Sequence, residues 1–178
     1  MITLKSPPKF RDIPPFIPFT GYTVDVTWQH LQEWLDDEEN KNLEPDFQRG
    51  HVWTDEKRQA YIEFCLRGGN SANDIYWNCE NYGRGGQGEL VLVDGKQRLT
   101  SVLMFLQDKI AVFGKHRYSD FVDRLGTGTR LHININSLKT RAEILQWYLD
   151  LNTGGVVHTN EEIEKVRRML KKELSSNA

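Results

Sequence analysis

Val91-Leu92-Val93-Asp94-Gly95-Lys96-Gln97-Arg98-Leu99-Thr100 is the stretch around which this 178-residue chain organises itself. Glu89-Leu90-Val91-Leu92-Val93 reads as a buried strand. Leu99 to Leu106 is the most apolar helical stretch in the sequence and reads as a core helix. Asp94-Gly95 is then the point where a strand delivers the chain into the first turn of a buried helix. Helix starts leave up to four N–H groups without internal acceptors and carry partial positive charge, so such a junction favours an anion, phosphate above all. Gly95 permits close backbone approach. Lys96 and Arg98 add full positive charges, the guanidinium being able to grip two phosphate oxygens at once, and Gln97 can donate or accept. Asp94 would repel a bare phosphate, which leaves it three roles: ligand for a divalent cation, orienter of a water, or cap of the helix.

Working outward, Asp74 to Cys79 reads as the strand that pairs with 89–93 in a hairpin. Gly83-Arg84-Gly85-Gly86-Gln87-Gly88 between them satisfies the letter of G-x-G-x-x-G, yet it precedes a strand where dinucleotide binding needs it to open a helix, so it is read as a hairpin tip. Upstream, Thr54 is placed as the cap of a helix through Tyr61, Ile62, Phe64, Cys65 and Leu66 that stops at Gly68-Gly69. Tyr22 to Val26 alternates as a short strand, and Trp28, Leu31, Trp34 and Leu35 follow at helical spacing with Thr27 as cap. Downstream, Leu131, Ile133 and Ile135 alternate with His132, Asn134 and Asn136 as a strand buried on one face. Residues 139 to 151 read as a helix, and Thr159-Asn160-Glu161-Glu162 reads as a capping box opening the last one. The class expected is α+β with a small mixed sheet. Met1 to Thr20, with five prolines, is expected to be an extended arm, and 21–178 one domain.

Composition narrows the function. At 38% hydrophobic and 11% aromatic residues, the chain can build an ordinary core. A net charge of -2 and a pI near 6.2 rule out the footprint of a generic DNA-coating protein, so nucleic-acid contact would have to be local. The run Asp36-Asp37-Glu38-Glu39 and the cluster Lys165, Arg167, Arg168, Lys171 and Lys172 are read as solvated helix faces. Cys65 and Cys79 have neither zinc nor disulfide spacing, and the five histidines show no metal spacing; His51, beside Arg49, is the one histidine placed near a candidate anion. With no continuous apolar segment to act as signal or anchor, a cytoplasmic protein without membrane contact is expected.

A second cluster, Pro45-Asp46-Phe47-Gln48-Arg49-Gly50-His51-Val52-Trp53, repeats the Gln-Arg pair between aromatic anchors that could hold Arg49 toward a ligand or simply pin the loop. Together with Asp94-Gly95-Lys96-Gln97-Arg98-Leu99-Thr100 and Leu151-Asn152-Thr153-Gly154-Gly155 followed by Glu161 or Glu162, it resembles the ParB/sulfiredoxin-like nucleotidase domain at the N-terminus of GmrSD-type, modification-dependent restriction enzymes. That resemblance implies a ParB-like fold, a small mixed sheet packed with helices, that binds and hydrolyses a nucleoside triphosphate with a divalent metal, taken as Mg2+. It implies Asp94, Gln97 and Arg98 as the catalytic group, with Asp94 as the metal ligand. Gly95, Lys96, Gln48 and Arg49 would bind the phosphates, and Asn152 and Thr153 would form another wall. Lys96 stands where the family often has glutamine. Enzymes of this type carry an H-N-H nuclease module after the nucleotidase half, and these 178 residues hold none, so DNA cleavage by this polypeptide alone is not expected: the readings left are a stand-alone regulator, a subunit serving a nuclease in trans, or a degenerate relative, with DNA or a nuclease subunit as the partner implied. The competing reading is a non-catalytic nucleic-acid or protein interaction module of the same fold. Direct ParB-like nuclease action lacks clustered metal-binding carboxylates.

Overall fold

A computed structural model describes residues 9, 13–38, 40–48, 50, 52–82, 88–153 and 160–176. Five strands form one mixed sheet: β1 (Tyr22–Thr27), β2 (Lys41–Asn42), β3 (Asp74–Asn78), β4 (Leu90–Asp94) and β5 (Arg130–Asn136). Their spatial order is β1-β5-β3-β4-β2. β1 runs antiparallel to β5 and β3 antiparallel to β4, whereas β3 and β5, and β2 and β4, are parallel. The helices are α1 (Leu31–Asp37), α2 (Asp55–Leu66), α3 (Lys96–Leu106), α4 (Arg141–Thr153) and α5 (Asn160–Ser176). The α+β class and mixed sheet are as expected from the sequence.

Alternation in β4 explains the layering. Leu90 and Leu92 belong to one core with Ile75, Trp77, Leu131, Ile133 and Ile135 of the sheet and with Leu31, Ile62, Val102 and Phe105 of α1, α2 and α3. Val93 belongs to a second core with Phe47, Leu145, Tyr148 and Val166, built from α4 and α5. Successive side chains point to opposite faces, so β4 is buried on both and reads as a continuous apolar run. β5 is fully covered on one face and on the other only at its end, where Asn136 is buried, which is why Leu131, Ile133 and Ile135 alternate with polar residues.

Local signals explain most boundaries. The Thr54 hydroxyl accepts from the Lys57 N–H, capping α2 as expected. Gly68, at φ 90°, takes the left-handed conformation that ends it. Thr27 departs from expectation. It precedes a 3-10 turn, Trp28–His30, and its hydroxyl meets the His30 ring instead of a helix N–H. Residues 13–20 form no regular secondary structure, and the Ile17 N–H donates to Asp150 of α4 at 2.9 Å while Phe19 stacks on Trp147. The hairpin tip 83–87 and Thr159 of the expected capping box lie outside the described residues. No helix among the described residues is long and apolar enough to cross a membrane.

Candidate functional site at the β4 to α3 junction

Asp94 ends β4, Gly95 turns the chain, and Lys96 opens α3. Gly95 sits at φ 100°, where a side chain is strained, and a Cβ there would stand 2.6 Å from Cδ1 of Ile75. The turn therefore depends on glycine twice, through its dihedral and through the closeness of β3. No side chain caps the helix. Among the described residues the N–H groups of Lys96, Gln97 and Arg98 meet no protein acceptor.

Asp94 does not act as the cap. Its Oδ2 accepts from Nη2 of Arg98, one turn into α3, at 2.8 Å, and the two side chains are 33% and 23% exposed. Among the described residues Oδ1 has no partner, and Nε of Arg98 is buried without one. An orphaned buried donor costs about 1–3 kcal/mol. The guanidinium is thus anchored by one carboxylate oxygen and incompletely satisfied. Two phenols lie within its electrostatic reach. Tyr76, whose Cα is paired with that of Asp94 across the hairpin, has its pKa raised first by burial and then by Asp74, with Arg98 opposing and Asp94 reinforcing the shift. Tyr61 of α2 is raised well above the usual phenol range by burial, again against the pull of Arg98. Sequence reading passed over both tyrosines, because one sits across a strand pair and the other on a different helix.

The remaining residues of the motif are turned inward. Gln97 is 8% exposed; its Oε1 accepts from the N–H groups of Val52 and Trp53, both at 3.3 Å, and its Nε2 donates to the Gly50 carbonyl at 3.1 Å. It clamps the 50–53 loop onto α3. Lys96, also 8% exposed, places Nζ 3.1 Å from Glu44. Gln48 donates to the Leu92 carbonyl on β4. The segment around it is latched to the second core, with Asp46 accepting from Arg141 at 2.8 Å, the Asp46 carbonyl accepting from Lys165, and Phe47 edge-on to Tyr148. The structure therefore brings Gln48, Gly95, Lys96, Gln97 and Arg98 to one corner, but through contacts in which both glutamines serve the protein's own backbone.

Asn152 donates to the Tyr148 carbonyl within its own helix, and Thr153 is the last residue of α4. Arg49, His51, the Thr153 side chain, Gly154 and Gly155 lie outside the described residues. As a metal ligand Asp94 is a single carboxylate, and among the described residues no three His, Cys, Asp or Glu side chains gather in a metal-binding group. One carboxylate oxygen suits Mg2+, which commonly keeps its waters and takes one or two protein carboxylates with substrate phosphates supplying the rest. A cleft of about 450 Å³ opens elsewhere, where the end of α2 faces the start of β5.

No curated protein and no solved structure matches the chain. The family model described as GmrSD restriction endonuclease, N-terminal domain, matches residues 31–129. That span runs from α1 to the loop before β5, covering more than half of the chain and including both Gln48 and the Asp94 to Arg98 junction but not Asn152 or Thr153. The chain belongs to the family of N-terminal domains of GmrSD restriction endonucleases.

Proposed function

We propose that the protein binds a nucleoside triphosphate at the start of α3, hydrolyses it weakly with a divalent metal, and thereby regulates or serves a DNA-directed nuclease supplied in trans. The observation that carries this is the Asp94–Arg98 pair at a helix start that no side chain caps: among the described residues its N–H groups and Oδ1 of Asp94 meet no partner, and the guanidinium keeps donors to spare. Phosphoryl transfer asks little more of a protein than positioning and charge stabilisation. Arg98 and the N–H groups of Lys96 and Gln97 would hold the terminal phosphates. Oδ1 of Asp94 would orient either the attacking water or a hydrated Mg2+, which when bound supplies charge neutralisation between neighbouring phosphates. Membership of a restriction-enzyme family supports DNA or a nuclease as the downstream partner.

One observation favours a second reading. Gln48, Gln97 and Lys96 are spent on the Leu92 carbonyl, the 50–53 loop and Glu44, as befits a motif that builds a non-catalytic interaction module for nucleic acid or protein. Phosphate release separates the two. Mg2+-dependent turnover of a triphosphate without DNA, lost in Arg98→Ala, is the expected result. Salt-sensitive DNA binding without turnover would support the second reading and remove the first.

A further inference from the structure

In a chain whose net charge is -2, α5 gathers Lys165, Arg167, Arg168, Lys171 and Lys172 within two turns, all of them exposed. The sequence alone reads them as a solvated face, and the structure sorts them. The apolar side of α5 is spent: Val166 is buried in the second core with Ile163, Met169 and Leu170 packed against it. At 3.6 residues per turn, Lys165, Arg168 and Lys172 fall away from that side, one above the next, with Lys171 beside them.

Ion pairing separates these cations further. Glu164 takes Arg167 at 2.6 Å, and Glu173 is turned to Arg141 of α4 at 3.2 Å. Lys165 donates to the Asp46 carbonyl, a neutral partner that leaves its charge uncompensated. Among the described residues Arg168, Lys171 and Lys172 meet no carboxylate. Arg168 stands three and four positions before the two lysines, the spacing at which like charges on a helix repel. The helix dipole does not account for them, because its attraction for cations fades beyond the last turn and the last turn holds no base. A polyanion laid along this face would relieve the repulsion.

The chemistry of the face selects among polyanions. A helix lying on an anionic membrane inserts its apolar side, and the second core already holds that side of α5. The outward positions from Glu161 to Lys172 carry no aromatic or apolar side chain. The face therefore lacks the buried anchors that fix a peptide and the rings that stack the bases of a single strand. What it offers is charge spaced along a rod, which suits the regular phosphates of a duplex. The family of the chain, N-terminal domains of restriction endonucleases, adds the same partner.

We propose that the outward face of α5 holds the backbone of duplex DNA, with Arg168, Lys171 and Lys172 on its phosphates and Lys165 at the margin. This deepens the functional reading by naming DNA itself as the partner and α5 as the surface. It rests on the DNA-directed role in that reading and not on triphosphate binding at the α3 junction. Contacts of this kind position a duplex without reading its sequence.

The test is fluorescence anisotropy of the full chain with a labelled duplex of mixed sequence from 50 to 200 mM salt, beside a polyglutamate peptide and anionic phospholipid vesicles. Three phosphate contacts predict that log Kd rises with log salt at a slope of about 2.7, a weakening of about 40-fold across that range. Arg168→Gln and Lys172→Gln, which keep helix propensity, should each lower the slope by about 1. Arg168→Lys keeps the charge and should match wild type, as should Arg98→Ala. No duplex binding by wild type at 50 mM salt would remove the DNA-directed role together with this surface. Wild-type slopes in both glutamine variants, loss in Arg98→Ala alone, or tighter binding of polyglutamate or vesicles than of the duplex would overturn the α5 surface and leave the rest of that reading standing.

Discussion

Gln97→Ala is the substitution whose effect can be worked most completely from the structure. The side chain bridges α3 to a loop 44 to 47 positions earlier, accepting from two N–H groups at 3.3 Å and donating to one carbonyl at 3.1 Å. Truncation removes three hydrogen bonds and leaves two loop donors and one acceptor to find water in a partly buried corner. A net contribution of about 0.5–1.5 kcal/mol per bond, taken toward the lower end for the two long ones, sums to roughly 2–3 kcal/mol of destabilisation. For a chain of this length that lowers Tm by about 4–10 °C. Urea denaturation followed by tryptophan fluorescence reads the change directly, because Trp53 sits on the clamped loop and packs edge-on to Tyr61. Gln97→Glu keeps the acceptor but cannot donate to Gly50, so it should fall between wild type and Ala. If Gln97→Ala leaves the midpoint within about 0.5 kcal/mol of wild type, the clamp does not exist as described and Gln97 is free to act on a ligand.

Three further outcomes follow from single contacts. Gly95→Ala should destabilise by about 2 kcal/mol or more by the same assay, from a left-handed dihedral combined with a methyl 2.6 Å from Ile75 Cδ1; Ile75→Val, which removes that atom, should relieve the steric part and leave the dihedral part. The Asp25 pKa is lowered chiefly by its hydrogen bond to His132, so the stability it contributes is complete above the ordinary value of 3.8 and is lost as pH falls through the lower folded value; urea midpoints from pH 5 to pH 2 should decline less steeply in Asp25→Asn than in wild type. Cys65 and Cys79 are buried thiols with raised pKa, so both should resist alkylation at pH 8 in the folded protein and both should react in urea, and rapid labelling of the native chain would contradict their placement.

Much of the site was legible because its signals are local. An apolar run ending in Asp94-Gly95 and continuing into an apolar helix has one economical reading, and β4, Gly95 and α3 form as that reading requires. Thr54, Gly68-Gly69 and the alternation of residues 131 to 136 were legible for the same reason, since caps and periodicity act within a few residues. Contacts between distant segments were not. Nothing in Arg130 to Asn136 announces that β5 lies between β1 and β3, parallel to one and antiparallel to the other. β2 is two residues long, too short to leave a pattern. Gln48 and Gln97 look like ligand-handling groups in the sequence because their acceptors, the Leu92 and Gly50 carbonyls, are backbone atoms more than 40 positions away. Thr27 failed as a cap because the nearby His30 ring competes for its hydroxyl. The tyrosines beside Arg98 depend on strand register and on helix packing, which the sequence does not display residue by residue.

Calorimetric titration of nucleoside triphosphate in the presence of Mg2+, run on wild type, Arg98→Ala and Asp94→Asn, tests the central claim most directly. A guanidinium and open helix N–H groups that hold phosphate predict saturable binding by wild type, a loss of about tenfold or more on removing the guanidinium, and a smaller, Mg2+-dependent loss on neutralising Asp94. Equal affinities for wild type and Arg98→Ala would show that the junction is not where phosphate is held.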